Sequence, residues 1–193
     1  MTKEKIITTA LRLFLLHGYQ SVSLADVAKE AGITKGGIYH YFSGKEELLQ
    51  VALKYFLDAF AKKYQVLLEG AAGLREVWQM LFVDNVMTDY WRGMLGCEQT
   101  SPIDHIHFTI DMMRRFPAVQ ENISQYQRTL TELLAAKIDQ AAARGEIRSD
   151  VDSRALAVIM MAVLNSTKGL GKESCQPVPA QAAADALWTM IEV

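Results

Sequence analysis

Hydrophobic side chains recur every third or fourth residue along nearly the whole chain. Ile6, Ile7, Ala10, Leu13, Phe14 and His17 fall on one helical face, and Gly18 supplies a stop. Gly32 closes a short helix predicted over 24–31, and Thr34 can cap another over 35–41. From Gly44 a stripe of Leu49, Leu53, Phe56, Phe60, Tyr64 and Leu67 predicts a long helix over 45–68, before Gly70. At 1.5 Å per residue such a rod is roughly 37 Å long. Further helices are predicted over 74–91, 102–115, 117–143, 153–168 and 180–192, separated by Gly93 and Gly96, Phe116-Pro117, Gly145 and a loop from Gly169 to Pro179. Two start signals place a hydroxyl three residues before an acid: Ser43 with Glu46 makes a full capping box, and Ser23 with Asp26 a weaker one. No alternating β-branched run with a hairpin turn appears. The fold class expected is therefore all-α. A small N-terminal bundle of three short helices (1–47) is joined by the long helix to a larger C-terminal helical bundle (48–193).

The segment from Leu24 to Tyr41 carries the chemistry. Two short helices linked by a glycine-containing turn are what a helix-turn-helix requires. Ala28 is small where the second helix crosses, and Gly32 can take a positive φ at the turn. Val27, Ala31, Ile33, Ile38 and one face of Tyr41 are expected to form a shared core against Leu13 and Phe14. Thr34, Lys35, Gly36, Gly37, Tyr39 and His40 are then left facing outward. The plainer alternative is an ordinary helical hairpin whose glycine only ends a helix. Gly36 and Gly37 together cost a helix roughly 1 kcal/mol each relative to alanine. Either a close approach of backbone to a partner or simple tolerance in a short helix accounts for them.

Composition narrows the partner. The chain has 193 residues, half of them hydrophobic, with 20 basic against 22 acidic side chains, which excludes a disordered chain and a generally basic coat. Residues 1–47 carry a net charge of +1 and the remainder −3, so any anion-binding surface must be local. Cys97 and Cys175 are too few and too far apart for a disulfide framework or a metal motif. The longest apolar run, Leu156 to Leu164, is nine residues, short of the roughly 20 that cross a membrane. No signal peptide is visible, and a cytoplasmic protein without membrane contact is expected.

With those residues in view, positions 5–50 resemble the DNA-binding domain of the TetR family of transcriptional regulators. The likeness rests on His17-Gly18-Tyr19, Ser23-Leu-Ala-Asp-Val-Ala, the run from Ala31 to Phe42, and Lys45-Glu-Glu-Leu-Leu49. It implies a homodimeric regulator, usually a repressor, that binds a palindromic operator in double-stranded DNA and is released by a small-molecule effector. It further implies that Ser23, Thr34, Lys35, Gly36, Gly37, Tyr39, His40, Tyr41 and Lys45 meet DNA, with Tyr39, Tyr41 and Lys45 on the phosphate backbone. Lys35 can reach guanine O6 or N7 in the major groove, without arginine's bidentate fork. Ala25 and Gly37 depart from the family's pattern, where longer side chains are usual, so direct base readout is expected to be sparse.

The C-terminal half is rich in large soft side chains that suit an apolar effector pocket and equally suit a plain core. Trp78, Phe82, Asn85, Trp91, His105, Phe108, Met112 and Tyr126 are the expected effector contacts, for a ligand that is largely apolar or aromatic. No cofactor and no metal is expected. Ser101 has no nucleophile elbow around it, and no zinc or phosphate-loop motif appears, so catalysis is not expected. A His107–Asp111 metal pair and a dimeric adaptor without DNA are the competing readings. The last two helices carry apolar stripes (Leu156, Ile159, Met160, Val163 and Leu170; then Ala180, Ala183, Ala184, Leu187 and Ile191) that suit internal core or, by the family resemblance, a dimer interface.

Overall fold

In the computed structural model, residues 2–97, 105–169 and 180–193 are described, without the side chains of 105–107, 165–169, 180 and 183. Their helices are α1 Thr2–His17, α2 Leu24–Ala31, α3 Lys35–Tyr39, α4 Lys45–Gly70, α5 Leu74–Phe82, α6 Val86–Leu95, α7 His105–Arg115, α8 Pro117–Ala143, α9 Ser153–Gly169 and α10 Ala180–Thr189. No strand forms among the described residues; an isolated bridge joins Ile147 to Glu192. The all-α expectation holds.

The chain divides into two compact units, Met1–Phe60 with Tyr90–Gln125, and Ala61–Asp89 with Tyr126–Val193. In the first unit Ile6, Ala10 and Phe14 of α1, Val27 of α2, Ile38 of α3, Phe42, and Leu48 and Leu49 of α4 are fully buried or nearly so. Trp91, Leu95, Phe108, Met112, Val119 and Ile123 belong to that same core cluster, with Phe116 packed against it. The helix-turn-helix is thus one part of a larger hydrophobic unit.

In the second unit α5 packs on α10. The Trp78 indole N–H donates to the Ala184 carbonyl at 3.0 Å, and the Trp78 ring meets Phe82 and Trp188. The turn after α4 is tied down by α8: the buried Lys137 ammonium donates at 2.8 Å to the carbonyl of Ala71, the residue just past the end of α4. Past the end of α8, Glu146 accepts from the Leu74 N–H at 2.8 Å and so caps α5. A Cβ on Gly73 would lie 2.7 Å from that carboxylate, so a larger residue there would push the Glu146 side chain from its capping position.

Several sequence-based expectations are corrected. The single helix predicted over 74–91 is two, because Asn85 takes φ +53°. Its side-chain amide donates to the Val83 carbonyl at 3.2 Å, a local bond that lets asparagine hold the left-handed conformation. Helix α3 ends at Tyr39, two residues earlier than expected. The strong capping box is shifted by one. Gly44 is the residue whose carbonyl accepts the first helical bond of α4, so Ser43 pairs with Glu47 rather than Glu46. The weak box forms in full, Ser23 and Asp26 each capping the other's backbone N–H. Finally, Tyr41 is 37% exposed while Phe42 is 2% exposed and fills the core place. The stripe on α9 also divides: Leu156 and Met160 are buried, whereas Ile159 is exposed.

Candidate nucleic-acid interface

The turn between α2 and α3 is built by Gly32, at φ +72°, whose N–H closes α2 on Ala28 and Lys29. A residue with a Cβ in that conformation is strained by about 1–2 kcal/mol. Thr34 then caps α3, its hydroxyl accepting from the Gly37 N–H at 3.1 Å. Ile38 anchors the helix, with no exposed surface. Lys35, Gly36, Tyr39 and His40 are left exposed, Tyr39 by 52%. His40 and Tyr41 pack edge to face, with ring centroids 5.2 Å apart. A methyl group at Gly36 or Gly37 would meet nothing closer than the Thr34 hydroxyl, at 4.0 and 3.4 Å. The chain's own packing therefore does not demand either glycine.

Ser23 is held by its cap. Its hydroxyl donates to Asp26 at 2.6 Å, and these bonds hold the Asp26 carboxyl below the usual range. Glu47 is lowered for the same reason by Ser43. Lys45, the first residue of α4, sits where the helix dipole opposes a cation. Its ammonium lies 4.2 Å from the centroid of the Tyr19 ring and donates to the Gln20 carbonyl at 3.4 Å. Partial burial lowers its pKa, against the pull of nearby Asp26. Sequence reasoning missed the Tyr19 contact; the residue stood in the quoted motif, but nothing in its spacing tied it to Lys45.

The residues expected to meet an effector are divided between the units. Trp78, Phe82, Asn85 and Tyr126 belong to the second, and Trp91, Phe108 and Met112 to the first. Asn85 is exposed in its turn, while Trp91, Phe108 and Met112 are buried in the first unit's core. The side chains of His105, His107, Ala180 and Ala183 lie outside the described residues, as do Ser101 and Leu170 altogether. Asp111, the other half of the competing metal pair, accepts from Arg115 at 2.7 Å. A groove of about 430 Å³ between the last turns of α4 and α8 is lined by Gln65, Leu68, Lys137 and Arg144, none of them expected.

Tyr64 was not among the expected contacts either. Its hydroxyl donates to the Met161 sulfur at 3.9 Å, a weak bond for a buried phenol. Burial raises the Tyr64 and Tyr126 pKa values, and Tyr64 adds to the rise at Tyr126. The signal available was that Tyr64 follows Phe60 by one helical turn on the α4 stripe.

The fold and the exposed, capped α3 define a helix-turn-helix protein. Residues 6–52 match the family described as bacterial regulatory proteins, tetR family, and residues 106–187 match the tetracyclin repressor-like C-terminal domain. The HTH-type transcriptional regulator TtgR of Pseudomonas putida is 27% identical over 169 residues, covering 85% of this chain and 77% of that one. The uncharacterized HTH-type transcriptional regulator YerO of Bacillus subtilis is 38% identical over 71 residues, 37% of this chain; that match spans only 25% of YerO. The reduced form of E. coli NemR has the same fold, with a TM-score of 0.78 at 17% identity over 100% of this chain and 98% of that one. The chain belongs to the TetR family of transcriptional regulators, which are DNA-binding proteins and not enzymes. Among the described residues no helix is long and apolar enough to cross a membrane.

Proposed function

We propose that this protein is a repressor that binds a palindromic operator as a homodimer and is released by a small, largely apolar or aromatic effector. The observation that carries the DNA part is α3 itself, which leaves Lys35, Tyr39 and His40 exposed beside two glycines that internal packing does not require. Bare backbone and a cation suit close approach to the major groove. Tyr39, Tyr41 and Lys45 serve the phosphates, and Ser23, Thr34, Gly36 and Gly37 bring their backbone near them. A single motif makes too few base contacts for useful affinity, so two copies are expected to read half-sites about one helical turn apart. The copies associate through α9 and α10, where Ala155, Val158, Ile159 and Ala162 form an exposed apolar face on α9. In this reading residues 1–47 read DNA and residues 48–193 carry the effector and dimer contacts, a division by role that cuts across the first compact unit.

Selecting bound duplexes from a random pool with purified protein tests this directly. A palindrome is expected, with affinity falling steeply as salt rises. Lys35→Ala is expected to relax preference at particular base pairs by about 1–3 kcal/mol. Retention of no sequence above background at low salt would end the operator reading.

For the effector, the expected contacts are Trp78, Phe82, Asn85, Trp91, His105, Phe108, Met112 and Tyr126, with the Tyr64 phenol as a further polar handle beside Tyr126. Helix α4 begins at Lys45 and runs 26 residues, about 39 Å, to Gly70, so its residues pass from the DNA-reading end of the first unit into the second. Coupling of the two events must be reciprocal. An effector that weakens operator binding 5–150-fold must itself bind more weakly by the same factor when operator is present. Calorimetric titration with and without operator is expected to give that ratio. Equal dissociation constants for a bound effector would mean that it does not regulate.

A further inference from the structure

We propose that the Tyr19 ring is the seat on which Lys45 is held for phosphate contact, and that Phe116, at the α7–α8 junction, fixes that seat. The inference rests on the DNA-binding reading above and adds a regulatory route that does not pass along α4. Lys45 occupies the first position of its helix, facing the positive end of the backbone dipole. In the free protein the negative face of the Tyr19 ring, 4.2 Å from the ammonium, offsets that repulsion. The Gln20 carbonyl accepts a hydrogen bond from the ammonium at 3.4 Å. Lysine is a flexible side chain, and these two contacts limit it to one orientation before any phosphate arrives.

The seat is itself held. Tyr19 makes edge-to-face contacts with Phe14 at 5.3 Å and with Phe116 at 5.4 Å, at interplanar angles of 63° and 79°. Phe14 is fully buried in α1 and cannot easily move. Phe116 is fixed through its backbone, because its N–H donates to the Met112 carbonyl at 2.9 Å and its own carbonyl accepts from Val119 at 2.9 Å. It therefore closes α7 and starts α8 at once. Pro117 follows at the first helical position, where no N–H is needed. Any displacement of the α7–α8 junction must carry the Phe116 ring with it, and thereby the Tyr19 seat and Lys45. All of these residues belong to one compact unit. A shift of this kind alters the grip on phosphate and leaves the base-reading face of α3 untouched, so affinity changes alike for every sequence.

The experiment compares Tyr19→Leu, Tyr19→Phe, Phe116→Leu, Lys45→Ala and the Phe116→Leu/Lys45→Ala double variant, in the full chain. Affinity for a random-sequence duplex is measured against salt, and the Lys45 ε-methylene shifts are read by NMR without DNA. Lys45→Ala is expected to lower the log–log salt slope by about 0.9 per protomer, one phosphate contact. Tyr19→Leu and Phe116→Leu are expected to lower it in the same direction, while Tyr19→Phe preserves it. Adding Phe116→Leu to Lys45→Ala should lower the slope no further. The ε-methylene protons are expected upfield in the wild type and in Tyr19→Phe, and displaced toward ordinary shifts in both leucine variants. Where Tyr19→Leu does not fold, Phe116→Leu decides. A Phe116→Leu protein with unchanged slope and shifts overturns the proposal, as does additivity with Lys45→Ala. A wild-type protein with no salt-sensitive binding refutes the DNA-binding reading instead, and the upfield shift, measured without DNA, keeps the two failures apart.

Discussion

Replacing Ile159 with glutamate is expected to leave a folded monomer of 21.6 kDa that no longer retains a palindromic duplex. Ile159 and its neighbour Val158 are 51% and 54% exposed on α9, while Leu156, Ala157 and Met160 on the other side of the same helix are buried. Half-exposed aliphatic side chains beside Ala155 and Ala162 are what a second helix would cover. In the isolated subunit the new carboxylate meets water, so the melting transition should move little. In a dimer it would be desolvated without a partner, at a cost of several kcal/mol, and two-fold symmetry supplies a second one. A penalty of about 4 kcal/mol weakens association roughly a thousandfold. Light scattering at micromolar concentration should then give half the wild-type mass, and mobility shifts with the selected palindrome should disappear. A variant that stays dimeric would move the interface elsewhere.

Phe42→Ala should produce the largest loss of stability among single substitutions near the interface. The ring is 2% exposed, directly follows the exposed Tyr41, and is held by the Phe42 N–H bond to the Ile38 carbonyl at 3.0 Å. Truncating a buried phenylalanine costs about 3–5 kcal/mol, from lost transfer energy and the cavity left behind. In a chain of this size each kcal/mol lowers the melting temperature by about 2–4 °C. Urea titration is expected to show the loss, and Phe42→Leu to recover much of it because the cavity shrinks. DNA binding should fall with the folded fraction and return on cooling. If Phe42→Ala unfolds at the wild-type urea concentration, the ring contributes far less to the core than its burial implies.

Much of this architecture was legible because helices announce themselves by period and punctuation. Helix α2 was expected over 24–31 and α8 over 117–143, and both form there, since Gly32 and Pro117 mark unambiguous ends. The failures share one physical cause. Asn85 breaks a helix through a side-chain bond to Val83 two residues back, a local choice that hydrophobic period does not register. The capping box slipped by a residue because both Glu46 and Glu47 were available and the backbone decided between them. At the interface, the outward residues of α3 could be read from their spacing around Ile38. Contacts distant in sequence could not. Neither the Lys137 bond to Ala71 nor the Phe116 contact with Tyr19 leaves any trace in the pattern of a single helix.

The three tryptophans are shared unequally between the two compact units: Trp91 lies in the first, and Trp78 and Trp188 meet at 5.9 Å in the second. That partition gives the molecule a built-in optical label for each half. With Trp91 replaced by phenylalanine, indole emission, excited at wavelengths that tyrosine does not absorb, comes from the α5–α10 pair alone. With Trp78 and Trp188 replaced, it comes from the unit that holds the helix-turn-helix. The close pair should also couple excitonically in the far ultraviolet, a circular dichroism band that a lone indole cannot give. Denaturation followed through the two labels therefore resolves whether the halves melt together or one after the other.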